Sequence, residues 1–400
     1  MKIGIIREGK NPPDSRVPLT PQQCLYISQQ PGTSIIIQPS SNRCYQDEEY
    51  KEAGLILSDN LEDCDLLMGV KEVPVNKLIP NKTYCFFSHT IKAQPYNRDL
   101  LREILSKNIR LIDYEVLTDE QGRRLIAFGY FAGMVGAYNG IFTYGQRTGD
   151  FQLKRMHTCY DYAEATQQFS SLKLSPIKIV LTGAGRVGSG AKKVLVDMGI
   201  REVPPDDYLS KTYSEAVFTQ IDCDRYVERI DGSPFDMQDF FTNPKQYQST
   251  FASFSKVSDV MINGIYWDKR APAFFSLEEM KLPDFHIKVI ADITCDIAPE
   301  ASIPSTLDAT TIANPIFGFD PQTAQATTPH QAHVVDMMTI DNLPNELPRD
   351  ASAAFGQQFL DHIWPAFQTE NSAILKRATI AEKGNLGKHF LYLKDYVGQI

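Results

Sequence analysis

The segment Ile177-Lys178-Ile179-Val180-Leu181 runs straight into Thr182-Gly183-Ala184-Gly185-Arg186-Val187-Gly188, and nothing else in the 400 residues restricts the fold so tightly. The apolar run predicts a strand. Val187, Ala191, Val194, Leu195 and Met198 then follow at the spacing of a helix buried along one face, with Gly199 placed to cap its end. A strand, a glycine turn and a helix in that order form the dinucleotide-binding fingerprint. Gly183 permits the tight turn, Gly185 lets a pyrophosphate approach the backbone, and Gly188 lets helix and strand pack closely. The helix N-terminus, with its unpaired N–H groups, faces the phosphates. A turn that bound nothing would have little use for three glycines at these offsets.

The choice between NAD and NADP rests on the tip of the next strand, about 20 residues on, where an acidic residue binds a ribose diol and a basic pocket accepts a 2′-phosphate. The segment there is Arg201-Glu202-Val203-Pro204-Pro205-Asp206-Asp207. Asp206 or Asp207 is placed to bind the diol, but the two prolines obscure the register and Arg201 lies nearby. The residues alone leave the cofactor as NAD(P).

Four hundred residues are more than one core usually serves, so two lobes are expected. With 42% hydrophobic and 22% charged residues the chain has the composition of an ordinary folded protein. A net charge of −9, without a dense Lys/Arg run, argues against a nucleic-acid partner. No apolar stretch approaches the roughly 18 residues of a membrane span. The first residues lack a secretory h-region and cleavage site. A soluble, cytoplasmic protein is expected. The seven cysteines are scattered, without a C-x-x-C pair, so reduced thiols and no metal site are expected.

The first 130 residues alternate short apolar runs with helix-like stretches, the pattern of a largely parallel sheet. Strands are predicted at 2–6, 34–38, 65–70, 84–88 and 110–114. Thr20-Pro21 supplies an N-cap and a first-turn proline for a helix through Ser28. The segment from about Phe131 to Tyr162 reads as helical and as the connection into a second lobe. Further strands are predicted at 259–265, 287–293 and 310–312, and a helix over 350–367, whereas 203–254 is polar, turn-rich and unassigned. The fold expected is α/β, with two Rossmann-like parallel-sheet lobes and an active-site cleft between them. Residues 1–135 plus about 345–400 would form the substrate lobe, and 136–344 the NAD(P)-binding lobe.

Ligands of parallel sheets bind at the carboxyl ends of the strands. Here those ends carry Lys71-Glu72, His89, Lys92 and Glu115, with Arg123 and Arg124 shortly after and Arg16 before the first helix. Such a set suits reduction of an imine. The amine must lose a proton to attack a carbonyl and the carbinolamine must shed water, steps that call for acid–base groups titrating near neutrality. A lysine among other cations in a poorly solvated cleft, and an imidazole, supply them. Arg16, Lys92 and Arg123 would clamp carboxylates, so the implied ligand is polyanionic.

The segments Arg16-Val17-Pro18-Leu19-Thr20-Pro21 and Gly69-Val70-Lys71-Glu72 resemble the alanine dehydrogenase and transhydrogenase superfamily. Phe87-Ser88-His89-Thr90-Ile91-Lys92-Ala93-Gln94, Leu111-Ile112-Asp113-Tyr114-Glu115, Ala127-Phe128-Gly129, Ile262-Asn263-Gly264-Ile265-Tyr266-Trp267 and Ile340-Asp341-Asn342-Leu343-Pro344 are narrower. They resemble the lysine–ketoglutarate reductase domain of aminoadipic semialdehyde synthases and the lysine-forming saccharopine dehydrogenases. The resemblance implies a reductase that joins L-lysine to 2-oxoglutarate, giving saccharopine reversibly, with Lys71 and His89 as the acid–base pair and Glu115 and Lys92 tuning their charge. Arg16 and Arg123 would hold substrate carboxylates, with Phe128 beside the substrate. Arg186, Val187, Tyr266, Asp292 and the stretch Ile340, Asp341 to Leu343 would lie along the dinucleotide.

Two departures bear on this. Ile297-Ala298-Pro299-Glu300 stands where the reductase domain has a glycine pair, and the 203–254 stretch follows the reductase type, which favours NADPH over NADH. A separate downstream enzyme would have to oxidise any saccharopine made. The alternatives are an alanine dehydrogenase-like enzyme, against which Asp292-Ile293-Thr294-Cys295-Asp296 speaks, and a non-catalytic dinucleotide-binding regulator, which would have no chemical need for Lys71, His89 and Arg16.

Overall fold

The computed structural model describes residues 1–398, which divide into two compact units, one of Met1–Phe128 with the chain from Pro348 onward, the other of Gly129–Leu347. The expected boundary at 135/136 falls inside a single helix, Gly129–Thr148, and the units part just before it.

The first unit is built on an eight-stranded sheet in the order Asn385–Leu386, Thr379–Glu382, Arg110–Asp113, Thr83–Phe86, Leu66–Met68, Lys2–Ile5, Ser34–Ile37 and Ile56–Leu57. The last six are mutually parallel and the first two antiparallel. Leu66, Leu67 and Met68 are all buried, as are Ile3 and Ile5, because helices cover both faces of a parallel sheet. The first helix, Pro21–Ser28, starts at a reciprocal capping box: Thr20 Oγ1 accepts from Gln23 N, and Gln23 Oε1 accepts from Thr20 N. The C-terminal helix predicted over 350–367 is Pro348–Gln358 followed by a wider turn, Phe359–Ile363, and Trp364–Phe367, with Phe355, Phe359 and Ile363 fully buried. The strand Thr379–Glu382, which pairs with Arg110–Asp113, was not foreseen.

The second unit carries another eight-stranded sheet, ordered Gln325–Thr327, Ile316–Asp320, Val335–Met338, Val289–Asp292, Val260–Asn263, Lys178–Thr182, Val217–Ile221 and Arg201–Glu202. Six strands are parallel and the first two antiparallel. The expected strand at 310–312 is absent, since Thr310 makes only a single bridge to Ile340 and the strand lies later, at Ile316–Asp320. The unassigned stretch holds the strand Val217–Ile221, which pairs with Lys178–Thr182, helix Pro205–Ser210, and the hairpin Val227–Arg229 with Tyr247–Ser249.

Helix Gly129–Thr148 packs on helix Arg186–Asp197 at glycines. A Cβ at Gly133 would lie 1.9 Å from the Val187 carbonyl oxygen, and one at Gly190 1.9 Å from that of Tyr130. Gly133, in the expected connection, and Gly190 are therefore the points where the two helices touch. Among the described residues, no helix is long and apolar enough to cross a membrane.

Candidate functional site

In the first unit the charged cluster is held together by its own carboxylates. The chain after strand Leu66–Met68 is fixed by Glu8, whose Oε1 accepts the Val70 N–H at 2.6 Å and whose Oε2 accepts the Lys71 N–H at 2.9 Å. Burial pushes the Glu8 carboxyl up to about 8, against these two amide bonds. His89, three residues beyond strand Thr83–Phe86, sits in the left-handed region at φ 53°, a conformation that costs a non-glycine residue energy and that surrounding contacts must enforce. Asp113, at the end of the next strand, supplies such contacts. Its carboxylate accepts from Ser88 N and Oγ and from Glu115 N, so one buried side chain ties together the turns that bear His89 and Glu115. Burial raises its carboxyl to about 6.

Glu72 lies at the centre of this cluster. One of its oxygens is 2.6 Å from His89 Nδ1 and the other 3.2 Å from Lys10 Nζ. Burial opposes its ionisation, but the hydrogen bond and charge of His89, with Lys10, outweigh that cost and hold the carboxyl at about 2. With Nδ1 engaged, Nε2 of His89 is left for chemistry. The Lys71 amine is half-buried. Burial first, then the Arg16 and Lys10 cations, bring it down to about 8.

The substrate-binding candidates divide. Arg16 is 3% exposed, its fork bonded to both oxygens of Asp14 at 3.0 and 2.6 Å, and its guanidinium lies 4.3 Å from the Phe128 ring centre. Phe128 is a core aromatic stacked on Phe355 at 4.4 Å, and it forms the floor under Arg16. Lys92 is exposed on the turn Thr90–Lys92. Arg123 does not join the cluster: its side chain is 77% exposed and pairs with Asp119. Its neighbour Arg124 pairs with Glu115 at 2.9 Å, and the second Glu115 oxygen, Oε2, is buried without a hydrogen-bond partner.

In the second unit the glycine turn has the shape the sequence implied. Gly183 adopts φ +93°, and a Cβ there would come within 2.7 Å of the Gly264 carbonyl oxygen. A Cβ at Gly188 would lie 2.0 Å from the Gly183 carbonyl oxygen, whereas one at Gly185 would point into open space. That open approach at the start of helix Arg186–Asp197 is the cradle a pyrophosphate needs, so these residues fit a dinucleotide. Arg186 is exposed there, and Val187 lies against Gly264.

Asp206 does not stand at the strand tip beside the fingerprint. It lies in helix Pro205–Ser210 and pairs with Arg225. The strand next to Lys178–Thr182 is Val217–Ile221, and the acidic residue after it is Asp222, whose side chain accepts from Cys223 N. The expected order failed because the short edge strand Arg201–Glu202 comes first in sequence but outermost in space.

Asp292 points into the sheet. Fully buried, it is bonded by Asn263 Nδ2, Thr306 Oγ1 and Cys295 N, while Asn263 Oδ1 accepts from Thr182 Oγ1. A polar row thus crosses the ends of three strands, and burial raises the Asp292 carboxyl. Tyr266 is 87% exposed just past strand Val260–Asn263. Ile340 and Leu343 are buried, whereas Asp341 between them is exposed. Among the described residues no group of three or more His, Cys, Asp or Glu is gathered to hold a metal ion.

Residues 4–135 match the family described as alanine dehydrogenase/PNT, N-terminal domain. The chain is 31% identical to the Arabidopsis thaliana alpha-aminoadipic semialdehyde synthase over 98% of its own length and 41% of that protein's. It is 25% identical to the Emericella nidulans saccharopine dehydrogenase [NAD(+), L-lysine-forming], covering 93% of this chain and 94% of that one. The chain thus spans less than half the length of the semialdehyde synthases it matches. Among solved structures, an L-alanine dehydrogenase superposes with a TM-score of 0.66 at 17% identity, covering 96% of both chains. The Sinorhizobium meliloti transhydrogenase does so at 0.62 and 13%, covering 96% of this chain and all of that one. These structures share the two-sheet α/β fold.

The matched stretch, residues 4–135, contains the whole charged cluster, including four residues that had no assigned role: Glu8, Lys10, Asp14 and Glu72. Glu72 was legible as the neighbour of Lys71. The other three lie in the irregular loop after the first strand, where no periodicity marks a direction.

Proposed function

We propose that the chain is a nicotinamide-dependent oxidoreductase that condenses the ε-amine of L-lysine with 2-oxoglutarate and reduces the product to saccharopine, reversibly. One observation supports this above the others: Glu72 holds the His89 imidazole on one oxygen and Lys10 on the other, beside a lysine whose amine is brought to about 8. A lysine brought close enough to neutrality to exchange protons, beside an imidazole, is what imine formation requires. The names of the relatives, alpha-aminoadipic semialdehyde synthase and L-lysine-forming saccharopine dehydrogenase, support the choice of substrates.

In this reading Lys71 Nζ takes a proton from the substrate ammonium, freeing its lone pair to attack the keto carbon. His89 Nε2 then donates a proton to the carbinolamine oxygen as water leaves, and Glu72 stabilises the imidazolium that precedes that donation. Arg16, Arg124 and Lys92 balance the carboxylates of the dicarboxylic partner, and the buried Glu115 Oε2 accepts from the amine. Gly183, Gly185 and Gly188 would hold the pyrophosphate of the dinucleotide, and Asp222 the adenosine ribose. When bound, a reduced nicotinamide supplies the hydride. A carboxylate at position 222 accepts from a ribose diol and repels a 2′-phosphate, so the preference we infer is NADH over NADPH.

The test is to mix the purified chain with lysine, 2-oxoglutarate and either reduced nucleotide. Loss of reduced-nicotinamide absorbance together with saccharopine by mass is expected, faster with NADH. Neither signal with either nucleotide would defeat the reading, and turnover only with pyruvate and ammonium would replace it with an alanine dehydrogenase.

A further inference from the structure

The first unit contains a cavity of about 450 Å³ that the proposed chemistry does not use. That volume is within the range of small-molecule sites. Its walls are apolar, formed by Ile6, Leu61, Leu67, Val73 and Ile79. Two polar groups in the lining are already satisfied: the Tyr84 hydroxyl accepts the Ile79 N–H at 2.8 Å, and Gln38 Oε1 accepts the Arg7 N–H at 3.1 Å. The titratable groups in the lining are one carboxyl, Glu8, and two cations, Arg7 and Lys77. Arg7 shares its charge with Asp59, and Lys77 is exposed.

A carboxylate and cations around one apolar volume describe a particular ligand. A simple carboxylate would meet the cations but give the Glu8 carboxyl no cation to ionise against, and a simple amine would meet Glu8 but leave the cations without a partner. A zwitterion with a hydrocarbon tail satisfies all three groups. We propose that this cavity binds a small aliphatic α-amino acid, with its ammonium on Glu8, its carboxylate on Lys77 and Arg7, and its side chain against Leu61 and Leu67.

The site has a physical route to Lys71. Glu8 is the acceptor of the Val70 and Lys71 amides, and Val73 and Pro74, which follow directly, are part of the cavity wall. An ammonium beside Glu8 favours its ionised form, which accepts both N–H groups. Occupancy would therefore tighten the segment that carries Lys71. What that does to turnover rests on the proposed function; binding itself does not.

The experiment is calorimetry of the whole chain with L-leucine, 4-methylpentanoate and isopentylamine, the last two each lacking one of the charges. Saturable binding of leucine is expected, with each analogue weaker by about tenfold, the order of one lost charge-assisted contact. Lys77→Ala, at an exposed position, should weaken leucine without altering the melting temperature, and the cavity-filling Leu61→Trp should abolish it. In hydrogen exchange, leucine should slow the amides of the peptide spanning Leu67–Pro74. Absence of saturable binding at millimolar leucine, equal binding of the analogues, or affinity undiminished in both variants would overturn the proposal. A negative result here leaves the saccharopine assay untouched, and a failed saccharopine assay leaves this binding measurement interpretable.

Discussion

At the strand ends of the first unit the working parts are side chains that hold one another: Glu72 between His89 and Lys10, Asp14 on Arg16, Glu115 on Arg124. At the strand ends of the second unit the parts are chiefly backbone. They are a glycine at φ +93°, a second whose Cβ would strike a carbonyl oxygen, and a third open to the approaching ligand. The first arrangement tunes charge and the second provides shape, so substitutions in the two should fail in different ways.

The largest effect expected is for Lys71→Met. Turnover should fall by about 10² to 10⁴, the usual contribution of a general acid or base, while dinucleotide affinity, read by fluorescence titration, stays as in the parent. A matching loss of affinity would break the division between the units. Gly188→Ala should do the converse. With its Cβ 2.0 Å from a backbone oxygen the turn must shift, costing about 1 to 3 kcal/mol of stability in thermal unfolding and most of the dinucleotide affinity.

Glu72→Gln should lower kcat/KM by about 10- to 100-fold, as loss of an orienting partner does elsewhere. It should also shift the pH profile in a known direction. The neutral Lys71 amine dominates above about 8, so the condensation rate rises with pH through that value. The Glu72 anion raises the Lys71 value, so its removal moves this limb to lower pH. A limb that stays in place would separate Lys71 from Glu72. The smallest effect is reserved for Arg123→Ala, which should leave KM for 2-oxoglutarate unchanged because an exposed ion pair is worth about 0 to 1 kcal/mol. Arg124→Ala should raise it. The reverse order would restore Arg123 to the site.

The same contrast explains what could be read from the chain alone. Gly183, Gly185 and Gly188 announce their geometry because a backbone requirement is written into residue type at fixed offsets. The parallel strands of the first unit announce theirs through apolar runs such as Leu66–Met68. The strand Val217–Ile221 was lost in a polar stretch, and with it Asp222, because an outer strand, Arg201–Glu202, precedes it in sequence and took its place in the expected order. The choice between Arg123 and Arg124 could not be made either, since adjacent residues of one type differ only in the direction the loop gives them.

The sequence by itself determined the class of fold, the nucleotide turn, and the gathering of Lys71, His89 and Glu115 at successive strand ends, because these follow from local spacing and the rule that parallel sheets bind at their carboxyl edges. Only the tertiary structure decided which carboxylate holds which cation, that the Asp292 side chain turns inward, and that Glu8 grips the amide of Lys71. These depend on distances between segments up to 63 residues apart, and no local pattern encodes them.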